Sequence, residues 1–209
     1  MKFGPVAYLM EIREVAVIGA GTMGAGIAQV CAQAGWKTNL FDAFPEGLER
    51  GMARIDAFWD KGIARGKTTP EQKAEWSARL YAVGDMAEAV SSADMVIEAV
   101  PEIPDLKQSI FADLDRLAPA HAILGTNTSS LSIAEIAGAT SRPEQVIGMH
   151  FFNPVPIMKL LELVRHGSTS DATVAAAEAA GVAMGKTTIL VKDVPGFATS
   201  RLGDRKSVV

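Results

Sequence analysis

The sequence predicts an α/β protein built on a doubly wound, mostly parallel sheet. Three observations predict it. Short apolar runs of strand length alternate with amphipathic or Ala-rich runs of helix length, the pattern of right-handed βαβ crossovers. The first apolar run opens directly into a glycine-rich turn that leads into a helix. Hydrophobic residues are 48% and charged residues 21% of the 209 residues, enough apolar surface to offset the ordering of the chain. At roughly 100–200 residues per domain, the length holds one domain, or one domain and a fragment of another.

Glu14–Ile18 (EVAVI) reads as the first strand, Thr22–Gln33 as a helix and Lys37–Phe41 as the second strand. The alternation then breaks. Pro45–Arg65 and Pro70–Arg79 both read helical, with Gly66-Lys67-Thr68-Thr69 as a turn between them. They form an inserted helical hairpin, and Leu48, Met52, Ile55 and Trp59 mark its packed face by their helical spacing. Further strands are expected at Tyr81–Val83, Asp94–Glu98, Ala122–Thr126, Val146–His150, Lys159–Val164 and Thr187–Val191. Helices are expected between them at about 105–117, 132–138 and 171–184. Ser132, with Glu135 three residues on, reads as a capping box for the second of these. Ala175–Ala183 is Ala-rich, which suits a close-packed helix.

Charge and termini exclude several classes. Twenty basic against 24 acidic residues give a net charge of −4, which removes the usual electrostatic case for nucleic acid. No apolar run approaches the ~18 residues of a membrane span. The N-terminus, MKFGPVAYLMEIREV, has one Lys ahead of an apolar stretch too short for a signal peptide. Its Glu11 and Glu14 are unlike an acid-poor transit peptide. A single cysteine, Cys31, excludes an internal disulfide and fits a reducing compartment. A cytoplasmic location is therefore expected, with no nucleic-acid or membrane partner and no metal.

The glycine turn is Gly19-Ala-Gly21-Thr-Met-Gly24, between a strand and a helix. Gly19 allows the tight turn, Gly21 the approach of backbone to a pyrophosphate, and Gly24 the close packing of helix on strand. The helix N-terminus faces the phosphate charge. The second strand ends in Asn39-Leu40-Phe41-Asp42, and Asp42 lies 18 residues after Gly24. An acidic residue there is placed to accept hydrogen bonds from the adenosine ribose. Ala43 and Phe44 follow it, so no cation waits for the extra phosphate of NADP, and NAD is the expected cofactor. Gly19, Gly21, Thr22, Met23, Gly24 and Asp42 are its expected contacts in a Rossmann-type domain.

The remaining candidates lie further along. His150 ends the apolar run Val146-Ile-Gly-Met149, and ligands of open α/β sheets bind at such carboxyl ends. A satisfied core histidine fits the same position. In Lys159-Leu-Leu-Glu-Leu-Val164, Glu162 shares a face with Leu160 and Val164, where a carboxylate is costly unless paired. The midpoint of 150 and 162 is Pro156, inside the turn Asn153-Pro-Val-Pro156. An antiparallel ribbon about that turn sets His150 opposite Glu162, which makes an oriented general base. A surface glutamate on an edge strand is the competing reading. Ser129, in Thr126-Asn-Thr-Ser-Ser130, lies just past another strand end, too early to cap the following helix. Glu102 and Lys107 flank a helix start, either as solvated helix-end charges or over the ribose and nicotinamide side of the cofactor.

Taken together, GAGTMGAGIAQV, TNTSSLSI, HFFNPVPIMKLLELV and DVPGF resemble the NAD-dependent L-3-hydroxyacyl-CoA dehydrogenase family, of the bacterial 3-hydroxybutyryl-CoA type. The resemblance covers about residues 13–203 and includes the hairpin. It implies that His150 takes the proton of the substrate 3-hydroxyl while hydride leaves carbon 3 for NAD. It implies that Glu162 pairs with that base, and that Ser129 bonds the substrate oxygen near the nicotinamide. Asn153, Asp42, Glu102 and Lys107 match cofactor and site contacts. Lys61, Arg65 and Lys67 occupy the hairpin region that meets coenzyme A. Ser200 stands where many members carry an Asn that positions the substrate carbonyl, and its hydroxyl donates with shorter reach. The family continues into a helical domain that closes over the cofactor and carries a homodimer interface.

From that resemblance a C-terminally truncated chain is expected, with the helical domain absent. The expected organisation is an N-terminal extension over 1–12, the Rossmann-type domain over 13–194 with the hairpin at about 45–79, and a stub over 195–209. The tail Asp204-Arg-Lys-Ser-Val-Val209 resembles a translated sequencing adapter and is expected to be non-native. Such a piece binds NAD and turns over poorly by itself. Two other readings stay open: a dehydrogenase of a free hydroxy acid such as L-gulonate, and a non-catalytic NAD-binding fragment.

Overall fold

Among the described residues eight strands form one sheet, in the order third, second, first, then fourth to eighth along the chain. A computed structural model describes residues 10–194. β1 (Glu14–Ile18), β2 (Lys37–Phe41) and β3 (Leu80–Val83) run parallel on one side of the switch point. β4 (Met95–Glu98), β5 (Ile123–Thr126) and β6 (Val146–Phe151) continue parallel on the other. β7 (Leu160–Arg165) turns back antiparallel to β6, and β8 (Thr187–Lys192) runs parallel to β7.

Both faces of the central sheet are covered, so β1, β4 and β5 are largely apolar on both faces and do not alternate. Val15 and Val17 pack on one side and Ala16 and Ile18 on the other. The first face takes α1 (Thr22–Gln33), α2 (Pro45–Ala64) and α7 (Asp171–Ala183), through residues such as Ile27, Ile55 and Ala177. The second face takes α5 (Pro104–Leu117) and α6 (Ile133–Ala137), through Phe111, Leu114 and Ile136. Cys31 is buried on the first face with its Sγ 3.8 Å from Met184 Sδ, and burial pushes its thiol pKa up. It is a core group, not a reactive one.

The hairpin forms as the periodicity expects, with α3 (Pro70–Ser77) shorter by two residues. Thr69 and Gln72 make a reciprocal capping box at its start. Lys73 reaches back to Asp56 at 2.7 Å and Asp60 at 2.6 Å on α2, and Trp76 stacks at 5.8 Å from Trp59. A short helix, α4 (Met86–Val90), is one the periodicity does not reveal. Five residues are too few to show a helical repeat, and Asp85, which caps it by accepting from Glu88 N at 2.8 Å, is its only sequence mark.

The cap of α6 also differs from expectation. Ser132 accepts from Glu135 N at 3.3 Å, but the second bond comes from Asp193, whose Oδ2 accepts from Ala134 N at 2.8 Å and Ser132 Oγ at 3.1 Å. A residue 58 positions downstream of Glu135 thus completes that helix start. Among the described residues no helix is long and apolar enough to cross a membrane.

Candidate active site

The carboxyl ends of β1 and β4 meet at the switch point, where open α/β sheets leave a crevice. Gly19 turns the chain there with φ +100°, and its N–H is held by Phe41 O at 2.8 Å. A Cβ on Gly24 would lie 1.7 Å from Gly19 O, and one on Gly51 would lie 2.7 Å from Ala20 O. The glycine turn is therefore clamped between α1 and α2. Gly21 differs, because a Cβ there would meet nothing within 4 Å. It N-caps α1 without a side-chain cap and with no acidic residue in the first turn. The first N–H groups of α1 are left for an anion. Gly24→Ala is expected to destabilise the fold by about 1–3 kcal/mol and to weaken NADH binding, as read by thermal melting and NADH fluorescence titration.

Asp42 has a second task that its spacing does not reveal. Its Oδ2 accepts from Ala20 N at 2.8 Å, inside the glycine turn, and its Oδ1 from Phe44 N at 3.0 Å. Each oxygen keeps a lone pair for a ribose hydroxyl. Along this edge runs a trough of about 700 Å³ lined by Gly19, Gly21, Thr22, Asp42, Val100 and Ile110, among others. Met23, Ala99 and Val100 also line a second cavity of about 380 Å³. Glu102, Asn127, Ser129, His150 and Asn153 share its wall.

His150 lines that second cavity, and Glu162 meets it from behind the wall. They stand opposite each other in the β6–β7 register, His150↔Glu162, as a ribbon centred on Pro156 requires. His150 Nδ1 lies 2.7 Å from Glu162 Oε2. The glutamate side chain is fully buried and the imidazole is 13% exposed. A buried carboxylate of this kind is costly unless paired and hydrogen-bonded. Phe152 packs on the imidazole with ring centroids 4.5 Å apart. With Nδ1 turned to the carboxylate, Nε2 is left as the basic nitrogen.

Lys107 lies beneath this cavity and not on its surface. Its side chain is fully buried, with Nζ 2.7 Å from Glu98 Oε1 and 3.3 Å from Glu102 Oε2. From there it supports Glu98 and Glu102 beneath the cavity. Glu98, also fully buried, accepts from Thr126 Oγ1 at 2.7 Å and Val100 N at 2.7 Å. Glu102 is the exposed end of this chain of charges. Its Oε1 accepts from the Thr128 hydroxyl, Ser129 N at 2.9 Å and Ser130 N at 3.3 Å. Burial pulls its pKa up, but the Thr128 and Ser129 bonds together with Lys107 outweigh that and hold it below the usual carboxylate range. Glu98 is a residue that sequence reasoning missed. Its signal is a carboxylate ending the otherwise apolar run Met95-Val-Ile-Glu98.

Between β6 and β7 the chain turns through a cis Asn153–Pro154 bond. Lys186, just before β8, braces the turn by donating to Val155 O and to Met158 O, the latter at 2.8 Å. Gly26 lets α1 seat against the same turn, since a Cβ there would lie 2.9 Å from Val155 Cβ. Both are further supports that sequence reasoning missed. Asn153 is exposed at the cavity mouth, and Ser129 is exposed on its wall. Lys61, Arg65 and Lys67 are exposed on the hairpin and do not join His150 in the second cavity. Ser200 and the stub lie outside the described residues.

Comparisons with known proteins bear on this geometry. Residues 14–194 match the family model described as "3-hydroxyacyl-CoA dehydrogenase, NAD binding domain". A "Probable 3-hydroxybutyryl-CoA dehydrogenase" of Bacillus subtilis is 44% identical over 193 residues, which are 92% of this chain and 67% of that protein. The "3-hydroxyadipyl-CoA dehydrogenase" of Escherichia coli is 40% identical over 93% of this chain and 41% of its own length. The solved (S)-3-hydroxybutyryl-CoA dehydrogenase PaaH1 from Ralstonia eutropha superposes with a TM-score of 0.89 at 42% identity, over 92% of this chain and 68% of that one. The chain thus spans from about two thirds to well under half of the length of these relatives.

Proposed function

The chain belongs to the 3-hydroxyacyl-CoA dehydrogenase family by its NAD-binding domain, and from that premise we propose that it serves the reversible oxidation of a (3S)-3-hydroxyacyl-CoA to the 3-oxoacyl-CoA. The substrate is short-chain, of the 3-hydroxybutanoyl-CoA type, in fatty acid or butanoate metabolism. NAD, when bound, accepts hydride from carbon 3 or returns it. The uncapped start of α1, the open face of Gly21 and the Gly24 cradle fit its pyrophosphate, and the spare lone pairs of Asp42 fit its ribose. Glu102 and Ser129 line the nicotinamide end.

One observation carries the reading: His150, held at 2.7 Å by the buried Glu162, lines a cavity that shares Met23, Ala99 and Val100 with the glycine trough. In the oxidation direction, Nε2 of His150 takes the proton of the 3-hydroxyl. In reduction it returns that proton to the 3-oxygen. Glu162 holds Nδ1, selects the tautomer and stabilises the imidazolium that forms. The Ser129 hydroxyl, which donates to Glu102 Oε1 at 3.4 Å, turns to the same substrate oxygen when substrate is bound, and Asn153 lines the opening. Lys61, Arg65 and Lys67 offer cations to the coenzyme A phosphates. Ser200, outside the described residues, is proposed to bond the thioester carbonyl. A homodimer of the longer protein and a cytoplasmic location belong to the same proposal.

The test, on the longer protein that carries this chain, is NADH oxidation with acetoacetyl-CoA set beside NAD reduction with L-gulonate. The expected result is acetoacetyl-CoA-dependent loss of NADH absorbance and no response to L-gulonate. Turnover of L-gulonate without turnover of acetoacetyl-CoA would replace the thioester with a free hydroxy acid.

A further inference from the structure

Asn127 follows β5 directly, where the parallel β5–β6 pairing stops at Thr126↔Gly148. Its own N–H is fixed by Glu98 O at 2.8 Å. Beyond the end of the ladder its side chain continues the pairing, because Oδ1 accepts from Phe151 N at 2.9 Å. Phe151 is the residue after His150. Glu162 thus grips the imidazole from β7, while Asn127 grips the adjoining main chain from β5. An amide NH2 has no acceptor to offer an N–H, so this bond also sets which end of the side chain is which.

The other end of the amide is open. Nδ2 has no protein partner among the described residues. The buried side-chain nitrogens without a partner there are Gln29 Nε2 and Trp59 Nε1, and Asn127 Nδ2 is not among them. It is therefore accessible, on a residue that lines the cavity of Ser129 and His150.

We infer that Asn127 is a two-ended contact of the active site, fixing the His150 strand through Oδ1 and donating through Nδ2 to an oxygen of the NADH or acyl-CoA seated beside His150. The inference rests on the dehydrogenase reading. Positioning and donation separate by substitution. Asn127→Asp keeps an acceptor for Phe151 N–H and replaces the donor with a negative oxygen. Asn127→Ala removes both ends.

The expected result for Asn127→Asp is a melting midpoint close to wild type, with NADH affinity or the turnover rate on acetoacetyl-CoA lowered about tenfold. Asn127→Ala is expected to lose the same function and some thermal stability as well. An Asn127→Asp chain that matches wild type in both affinity and turnover would overturn the donor. Should that variant not fold, the wild-type chain decides. In ¹⁵N-labelled protein the Asn127 side-chain NH2 signal is expected to move as NADH, then acetoacetyl-CoA, is added. A signal unmoved at saturation with both would overturn the inference. A wild-type chain that binds no NADH would instead overturn the dehydrogenase reading, and this inference with it.

Discussion

His150→Ala is expected to slow acetoacetyl-CoA-dependent NADH oxidation by ~10²–10⁴-fold, the usual contribution of a positioned proton-transfer group. NADH affinity is expected to change little, because the glycine turn between β1 and α1 and Asp42 after β2, which hold the cofactor, lie apart from β6 and β7. The size of the effect follows from the pair. Glu162 is fully buried and 2.7 Å from Nδ1, so the imidazole has one tautomer and one orientation in which Nε2 can work. Glu162→Gln keeps an acceptor for Nδ1 but removes the charge that stabilises the imidazolium. It should therefore cost less than His150→Ala. An unchanged rate in His150→Ala would remove the proton-transfer role, and with it the observation that carries the proposed reaction.

Lys107→Met is expected to destabilise the protein by about 3–5 kcal/mol, the usual consequence of removing one partner of a buried ion pair. At this chain length that is a fall of roughly 6–20 °C in melting temperature. Methionine preserves most of the packed stem and removes only the ammonium. Glu98 would then be a fully buried carboxylate held by Thr126 Oγ1 and Val100 N alone. Adding Glu98→Gln to Lys107→Met removes the stranded charge and is expected to recover part of the loss, because neutral groups of similar shape cost less to bury. Lys107→Met should also weaken NADH binding, since Glu102 loses its 3.3 Å neighbour and with it part of its hold on the loop carrying Ser129. Urea unfolding of the wild type, Lys107→Met and the double variant checks the prediction. A loss below about 1 kcal/mol, the range of an exposed pair, would show that Lys107 is not buried in solution.

The parts of the site that were legible in the sequence are those set by short-range rules. A glycine turn between a strand and a helix has one backbone shape, and an antiparallel ribbon about one turn pairs residues equidistant from its centre. His150 and Glu162 could be matched by that arithmetic alone, and their register follows it. Asn127 and Phe151 could not be matched, because one follows β5 and the other ends β6, and these strands run parallel and are joined through a helix. Nothing local sets the alignment of two such strands.

Lys107 shows the same limit from another side. A lysine in the first turn of α5 reads as a surface charge. Only the packing of α5 over the end of β4 places its ammonium under Glu98. The sequence by itself determined the strand order's building blocks, the nucleotide turn and the histidine–carboxylate hairpin, since each depends on residues near one another along the chain. Which charges are buried, which side chains finish the ladders and which loops are braced from below were decided by the tertiary structure, because burial and long-range hydrogen bonds exist only once distant segments share one core.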